Sequence, residues 1–283
     1  MASDVRELVK ERYDSLTRSE RLLANLVLAE PHILLLETSA AIAGRAGVSA
    51  MSVTRFAHKL GFDSFQELRQ HAKGSSLDAP LSGLVAARRS VGTGAGDGAF
   101  EADCQTIRRA YELRERPDWS EAVGLVAHSD CVYAAGFQTT AHLARAFVDH
   151  LEYVRPRAFH LDGTNGDYFN VLTDPGPNVA LVLVDIFRYG RAGPLLAEFA
   201  HKRGVKVIVL CDDLCDWAVP VADHVFTVAG NRGPFMGTTI ALYALINLLL
   251  RDTANMLGDR ALDLLEVAAE AQDWFGQHLK DKN

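Results

Sequence analysis

The chain has 283 residues, of which 48% are hydrophobic and 23% charged, with a formal net charge of −7. This length allows two modest domains, and this composition excludes a disordered or fibrous protein. The longest apolar run, residues 240–250, contains an asparagine and falls short of the about 20 residues that span a bilayer. No basic segment followed by an apolar stretch opens the chain, so we expect a cytoplasmic protein that does not contact a membrane.

The charge is distributed unevenly along the chain. Residues 1–75 contain ten basic and nine acidic side chains, which leaves 19 basic and 27 acidic ones beyond them. The first part is therefore +1 and the remainder −8. This asymmetry permits nucleic-acid binding at the N-terminal end without requiring it.

The four cysteines show no metal-ligand spacing. Cys211 and Cys215 lie four residues apart, but no second pair and no histidine cluster accompanies them. The pattern indicates reduced thiols, and we expect neither a metal nor a cofactor.

Residues 1–75 are predicted to form an all-α domain. Thr17 and Glu20 stand at the ends of a capping box, which favours a helix that runs to about Glu30. Pro31 suits the first turn of a short helix that continues to Leu36.

The segment from Thr38 to Leu60 has the parts of a helix-turn-helix. Thr38 or Ser39 caps an alanine-rich helix, a turn follows around Gly47, and a second helix spans residues 50–60. Four apolar residues of the second helix share an inward face: Val53, Phe56, Ala57 and Leu60. The other face carries side chains that can contact phosphates or base edges: Met51, Ser52, Thr54, Arg55, His58 and Lys59. A small helical domain with a merely solvated polar face remains the alternative.

Beyond this domain the composition and the pattern of apolar residues change twice. Residues 76–100 are rich in glycine and serine and predict a linker with one helix near residues 84–89. In residues 101–283, apolar strands alternate with helices, which predicts a doubly wound α/β domain with a parallel sheet. The strands are predicted at residues 131–135, 158–161, 179–184, 205–210 and 224–228.

Four segments of the first domain carry a specific pattern: Leu16–Arg21, Thr38–Ala43, Val48–Phe56 and Lys59–Leu68. Together they resemble the N-terminal domain of RpiR-type transcription regulators. The resemblance implies that Ser49, Ser52 and Arg55 face DNA. Members of that family commonly have Thr where Ser52 stands, and the serine keeps the hydroxyl.

The loop after the first strand resembles the first motif of SIS domains, the sugar isomerase fold that usually accompanies RpiR-type regulators. That motif reads Gly-x-Gly-x-Ser before a helix. Here Gly136 matches the first glycine, Gln138 replaces the second, and Thr140 stands in place of the serine. Together with Thr139, this loop is expected to bind an effector, because ligands lie at the carboxyl ends of parallel strands.

The loop after the third strand departs from the second SIS motif, which supplies a row of hydroxyls. It carries Asp185, Arg188 and Tyr189 instead. Arg188 offers bidentate binding of a carboxylate or phosphate, whereas Asp185 opposes an anion. We expect Asp185, Arg188 and Tyr189 to belong to the effector site.

These observations predict a regulator that binds a double-stranded DNA operator and senses a small metabolite, a sugar phosphate or related anion. A homodimer or homotetramer is expected, with the apolar helix at residues 238–250 in a subunit interface. Two alternatives stay open. One is an enzyme similar to sugar-phosphate isomerases, and the other is a regulator whose vestigial pocket serves only oligomerisation.

Overall fold

The computed structural model describes residues 5–29, 33–77, 99–173, 178–186, 189–228 and 239–276. The chain divides into two compact units, one formed by residues 1–100 and 231–238 and the other by the remainder. The predicted linker lies for the most part outside the described residues, as does the helix expected near residues 84–89.

The first unit is helical throughout its described residues, as predicted. Its helices are α1 (Val5–Arg12), α2 (Arg18–Ala29), α3 (Ile33–Leu36), α4 (Ser39–Ala46), α5 (Ala50–Lys59) and α6 (Phe65–Leu77). The carboxylate of Glu20 accepts a hydrogen bond from the N–H of Thr17 at 2.8 Å, which confirms the predicted start of α2. The last helix continues to Leu77, slightly beyond the predicted boundary of the domain.

The second unit alternates helices and strands. Its helices are α7 (Ala99–Glu112), α8 (Pro117–His128), α9 (Ala141–Leu151), α10 (Asn170–Thr173), α11 (Ala192–Lys202), α12 (Ile240–Leu257) and α13 (Asp259–Phe275). Its strands are β1 (Cys131–Gly136), β2 (Ala158–Leu161), β3 (Val179–Val184), β4 (Lys206–Asp212) and β5 (His224–Val228). All five strands stand where the apolar runs of the sequence predict them.

The sheet is parallel, with the strand order β2-β1-β3-β4-β5. The order reverses between β1 and β3, because the chain crosses from β1 outward to β2 and then back to β3. Ligands of open α/β sheets bind outside the carboxyl ends of the strands at such a reversal. Gly136 at the end of β1 is paired in register with Val184 at the end of β3, so the two following loops emerge side by side.

Apolar side chains cover both faces of the sheet, which confirms the doubly wound arrangement. One face packs against α8, α9 and α12, where Trp119 meets Phe226 edge to face at 5.0 Å between ring centroids. The other face packs against α11, with Leu196 and Ala200 buried. Burial of these continuous apolar strands supplies the main driving force for the fold of this unit.

The apolar helix that was expected in a subunit interface is α12, and one side of it packs into the core of its own unit. Leu242, Leu245 and Leu249 are buried there, while Tyr243 remains 43% exposed. Among the described residues, α12 is also the single helix long and apolar enough to cross a membrane by length and composition. Core helices of globular domains have the same properties, so this is weak support for a span.

Candidate functional site

The turn between α4 and α5 is held by backbone and side-chain caps. Thr38 caps α4 by accepting a hydrogen bond from the N–H of Ala41 at 3.2 Å. Gly47 ends the helix with a φ of 66°, a backbone conformation that residues with a Cβ rarely adopt. Ser49 then caps α5 by accepting from the N–H of Ser52 at 3.3 Å. The two helices and their turn therefore have the geometry that the sequence predicts.

The inward face of α5 is the predicted one. Val53, Phe56, Ala57 and Leu60 are each no more than 2% exposed. Their spacing puts them on one stripe of the helix, and burying it fixes which side of α5 remains outside.

The outward face of α5 carries exposed side chains of Met51, Arg55, His58 and Lys59, with Thr54 half-buried beside them. Ser49, which precedes the helix, is also exposed. No acidic residue occurs in the sequence from position 38 to position 62, so nothing within this segment opposes the approach of a polyanion. This arrangement of short polar and cationic groups suits contact with phosphates and base edges.

Ser52 does not lie on the exposed face, and its placement there from the sequence is wrong. It is 3% exposed, because it stands four residues before Phe56 and so shares the inward side of the helix. Its hydroxyl lies 3.0 Å from that of Ser49, and a guanidinium nitrogen of Arg55 donates to it at 3.4 Å. Ser52 therefore lies beneath the exposed surface of α5, in contact with Ser49 and Arg55.

Two arginines that could not be predicted from the sequence satisfy helix C-terminal ends, Arg12 at α5 and Arg69 at α3. Arg12 donates to the carbonyl of Lys59 at 2.9 Å and so satisfies the C-terminal end of α5. Arg69, 4% exposed, donates to the carbonyl of Leu34 at 2.9 Å and to that of Glu37. All three bonds join residues far apart in sequence, so no local pattern indicates them.

The second candidate site lies at the carboxyl end of β1, at the reversal of strand order. A Cβ on Gly136 would meet the carbonyl oxygen of Thr140 at 2.4 Å, so only glycine allows the chain to fold back here. Gln138, two residues on, has φ 52°, the left-handed conformation that glycine adopts without strain. The residue that replaces the second glycine of the motif therefore has a backbone conformation that favours glycine.

Thr140 is fully buried, and its hydroxyl binds the backbone. It accepts from the N–H of Phe137 at 3.0 Å and lies 2.7 Å from the carbonyl oxygen of Val184. These contacts join the end of β1 to the end of β3. Thr140 is consequently placed to shape the loop, while Thr139 beside it is exposed.

Asp185 follows β3 and is 2% exposed. One of its carboxylate oxygens accepts from the N–H of Ile186 at 3.0 Å, and the other has no hydrogen-bond partner among the described residues. Burial, reinforced by the nearby carboxylate of Asp212, raises the pKa of Asp185 to about 7.

Tyr189 joins the loop after β3 to the end of β4. Its hydroxyl donates to a carboxylate oxygen of Asp212, which also accepts from the N–H of Leu214 at 3.1 Å. Burial and this neighbouring carboxylate raise the pKa of Tyr189, so the side chain stays a neutral donor. Arg188, the expected anion-binding group, lies outside the described residues.

Aromatic side chains surround this edge of the sheet, and Tyr189 is the one among them that was predicted from the sequence. Phe137 lies 6.3 Å from Tyr168 between ring centroids, and Trp217 lies 6.4 Å from Tyr189. Their positions in four separate loops give no local signal. Aromatic rings at the ends of these loops provide apolar faces for a ligand.

No group of three or more possible metal ligands occurs among the residues that the structure describes. Two cavities on the second unit lie at other places. One, of about 520 Å³, is lined by α9 and the edge strand β2, and the other, of about 540 Å³, lies between α13 and the end of α8.

Comparison with known families places residues 3–77 in the helix-turn-helix domain of the rpiR family. Two curated relatives are similar to this chain over part of its length. An uncharacterized HTH-type transcriptional regulator of Thermotoga maritima is 35% identical over 79 residues, and the Escherichia coli regulator YfhH is 38% identical over 61 residues. These matches cover 28% and 22% of the chain and the same shares of the two relatives.

Two solved structures are similar to this one, the first along nearly the whole chain and the second along part of it. The Vibrio vulnificus NanR protein, complexed with ManNAc-6P, aligns with 96% of this chain and 99% of its own at a TM-score of 0.58 and 15% identity. The sugar isomerase domain of the RpiR transcription factor from Sphaerobacter thermophilus aligns with 60% of this chain and 96% of its own. Its TM-score is 0.55 and its identity 24%, so the likeness establishes a SIS-type fold for the second unit.

Proposed function

We propose that the protein is a DNA-binding transcription regulator, because residues 3–77 match the helix-turn-helix domain of the rpiR family. The single observation that carries the proposal is the outward face of α5. It presents Arg55, His58 and Lys59 to solvent on a segment without acidic residues. Such a face fits the major groove of a double-stranded operator.

Within that face, we assign direct contact with DNA to Ser49, Thr54, Arg55, His58 and Lys59. Arg55 is the side chain suited to a guanine edge, since it can donate two parallel hydrogen bonds. Ser52 contributes through Ser49 and Arg55, which its hydroxyl contacts. The N-terminal ends of α4 and α5 add the positive ends of their helix dipoles, which favour phosphates.

The second unit is proposed to bind a small effector at the reversal of strand order. A sugar phosphate or related anion is the expected class, and the NanR protein with this fold was solved with ManNAc-6P. The exposed Thr139 would contact the effector, while Gly136, Thr140, Asp185 and Tyr189 hold the shape of the loops. This proposal assigns the chain a regulatory role without catalysis, in the cytoplasm.

A homodimer is proposed because operators are commonly read as two half-sites. The support within the described residues is α13, in which Leu262, Val267 and Trp274 are 58%, 60% and 87% exposed. Exposed apolar side chains of this kind are typical of protein–protein contact surfaces, and a second copy that covers α13 would bury them. A homotetramer would use the same surface together with another.

The experiment that tests the function is selection of DNA by the full chain from a pool of random-sequence duplexes, followed by titration of the selected duplex with candidate effectors. We expect one enriched sequence with two related half-sites, and an affinity that changes when a sugar phosphate is added. A pool that stays random after repeated selection would contradict the proposal. Turnover of hexose or pentose phosphates would instead support the enzyme alternative.

A further inference from the structure

The outward face of α5 contains one large apolar side chain among polar ones. Met51, the second residue of the helix, is 66% exposed. Isolated apolar residues are common on protein surfaces and need no explanation in general. The position of Met51 is what distinguishes it, because it lies on the surface through which the protein is proposed to contact DNA.

Met51 shares its face of the helix with the two residues best suited to contact bases and phosphates. Arg55 follows it by four positions and His58 by seven, the spacing that places side chains in one row. The inward stripe begins at Ser52 and Val53, so Met51 points away from the core. Any surface that covers Arg55 also covers Met51.

The place of Met51 along the helix adds a second constraint. Recognition helices contact base edges mainly through their N-terminal residues, and Met51 precedes Arg55 by one helical turn. A charged or amide side chain here would form hydrogen bonds to a base, whereas a thioether cannot donate one and accepts only weakly. The chemistry of Met51 therefore favours an apolar group on the DNA.

The major groove presents one such group, the C5 methyl of thymine. Methionine is flexible and polarisable, so its side chain adapts to an apolar group of fixed position. We propose that Met51 determines sequence specificity by packing against the C5 methyl of a thymine in each half-site of the operator. This inference rests on the proposed function, in which α5 enters the major groove.

The test removes the methyl group without changing any hydrogen-bonding edge. The probe is a duplex selected by the full chain from a random pool, in which each thymine is replaced singly by deoxyuridine. At one thymine per half-site we expect the affinity of the unsubstituted chain to fall about fourfold, the equivalent of one buried methyl group. Fluorescence anisotropy of the labelled duplex measures the dissociation constants.

Protein variants then assign that sensitivity to one side chain. Met51→Ala should bind the thymine duplex more weakly and no longer distinguish it from the deoxyuridine duplex. Met51→Leu, which retains an apolar side chain, should still distinguish them. Leu22→Ala is the matched control, because Leu22 is an exposed apolar residue, at 46%, on α2 rather than on α5, and it should leave the ratio unchanged.

Three results would overturn the inference: a selected half-site without thymine, tolerance of every deoxyuridine by the unsubstituted chain, or an undiminished thymine preference in Met51→Ala. Each of these leaves specific DNA binding intact, so the proposed function would survive. Failure to select any sequence would overturn both proposals together.

Discussion

The two units use their candidate functional side chains in opposite ways. On α5, Met51, Arg55 and Lys59 project from the fold into solvent. At the sheet edge, Thr140 and Asp185 are buried. The side chains on the outward face of α5 thus remain accessible after folding. The side chains that shape the sheet edge are buried by folding. Substitutions on α5 should therefore change binding without changing stability, and substitutions at the sheet edge should change stability first.

The largest expected effect at the sheet edge concerns Asp185. The pKa of Asp185 is about 7 in the folded protein, above the ordinary value of 3.8. The folded state is therefore more stable when this carboxyl group is protonated than when it is ionised. Folding stability from this group is fully present below pH 4 and is lost as the pH rises through 7. The difference corresponds to ~4 kcal/mol at 1.4 kcal/mol per pH unit.

Asp185→Asn should remove this pH dependence. Urea unfolding at pH 5 and pH 8 gives the free energy of unfolding of the variant and of the unsubstituted chain, and the difference between the two proteins is compared at the two pH values. We expect the variant to gain stability relative to the unsubstituted chain between these two pH values. An identical pH dependence in the two proteins would show that Asp185 ionises as if exposed.

A smaller loss is expected for Thr140→Val, which keeps the shape of the side chain and removes its hydroxyl. The N–H of Phe137 would lose its buried acceptor, and an unsatisfied buried group costs about 1–3 kcal/mol. Thr140→Ser retains the hydroxyl and serves as the control. If both variants unfold at the denaturant concentration of the unsubstituted chain, Thr140 does not join the two strand ends as described.

The smallest effect is expected for Gln138→Gly, and it is a gain. Glycine adopts the conformation at φ 52° without strain, which outweighs the added freedom of the unfolded chain and should stabilise the protein by about 0.5–1 kcal/mol. Gln138→Ala keeps the strain and should be near neutral. A destabilised glycine variant would indicate that the side chain of Gln138 stabilises the loop.

The fold of both units could be predicted from the sequence because it depends on periodic apolar patterns. The inward stripe of α5 and the five apolar strands are such patterns, and the structure confirms them. The burial of Ser52 was missed because a hydroxyl group by itself indicates neither burial nor exposure. Ser52 is buried because it lies one helical turn before Phe56 on the inward side of α5.

The sequence predicts where the sheet-edge site lies but not which contacts its side chains make. The motif indicated Gly136 and Thr140, but the contact between Thr140 and Val184 joins residues 44 positions apart. The same holds for Tyr189 and Asp212, whose hydrogen bond crosses from one loop to another. Such long-range contacts arise from packing of the whole sheet, and no spacing in the sequence encodes them.

The most direct test of DNA recognition by α5 is the affinity of Arg55→Ala for the selected duplex and for a scrambled one. We expect a loss of about 1–3 kcal/mol, or roughly 5- to 150-fold, on the selected duplex alone. Arg145→Ala, which removes an exposed arginine of the second unit, should bind both duplexes unchanged. Unaltered discrimination by Arg55→Ala, in a protein of unaltered thermal stability, would contradict the assignment of α5 as the helix that reads DNA.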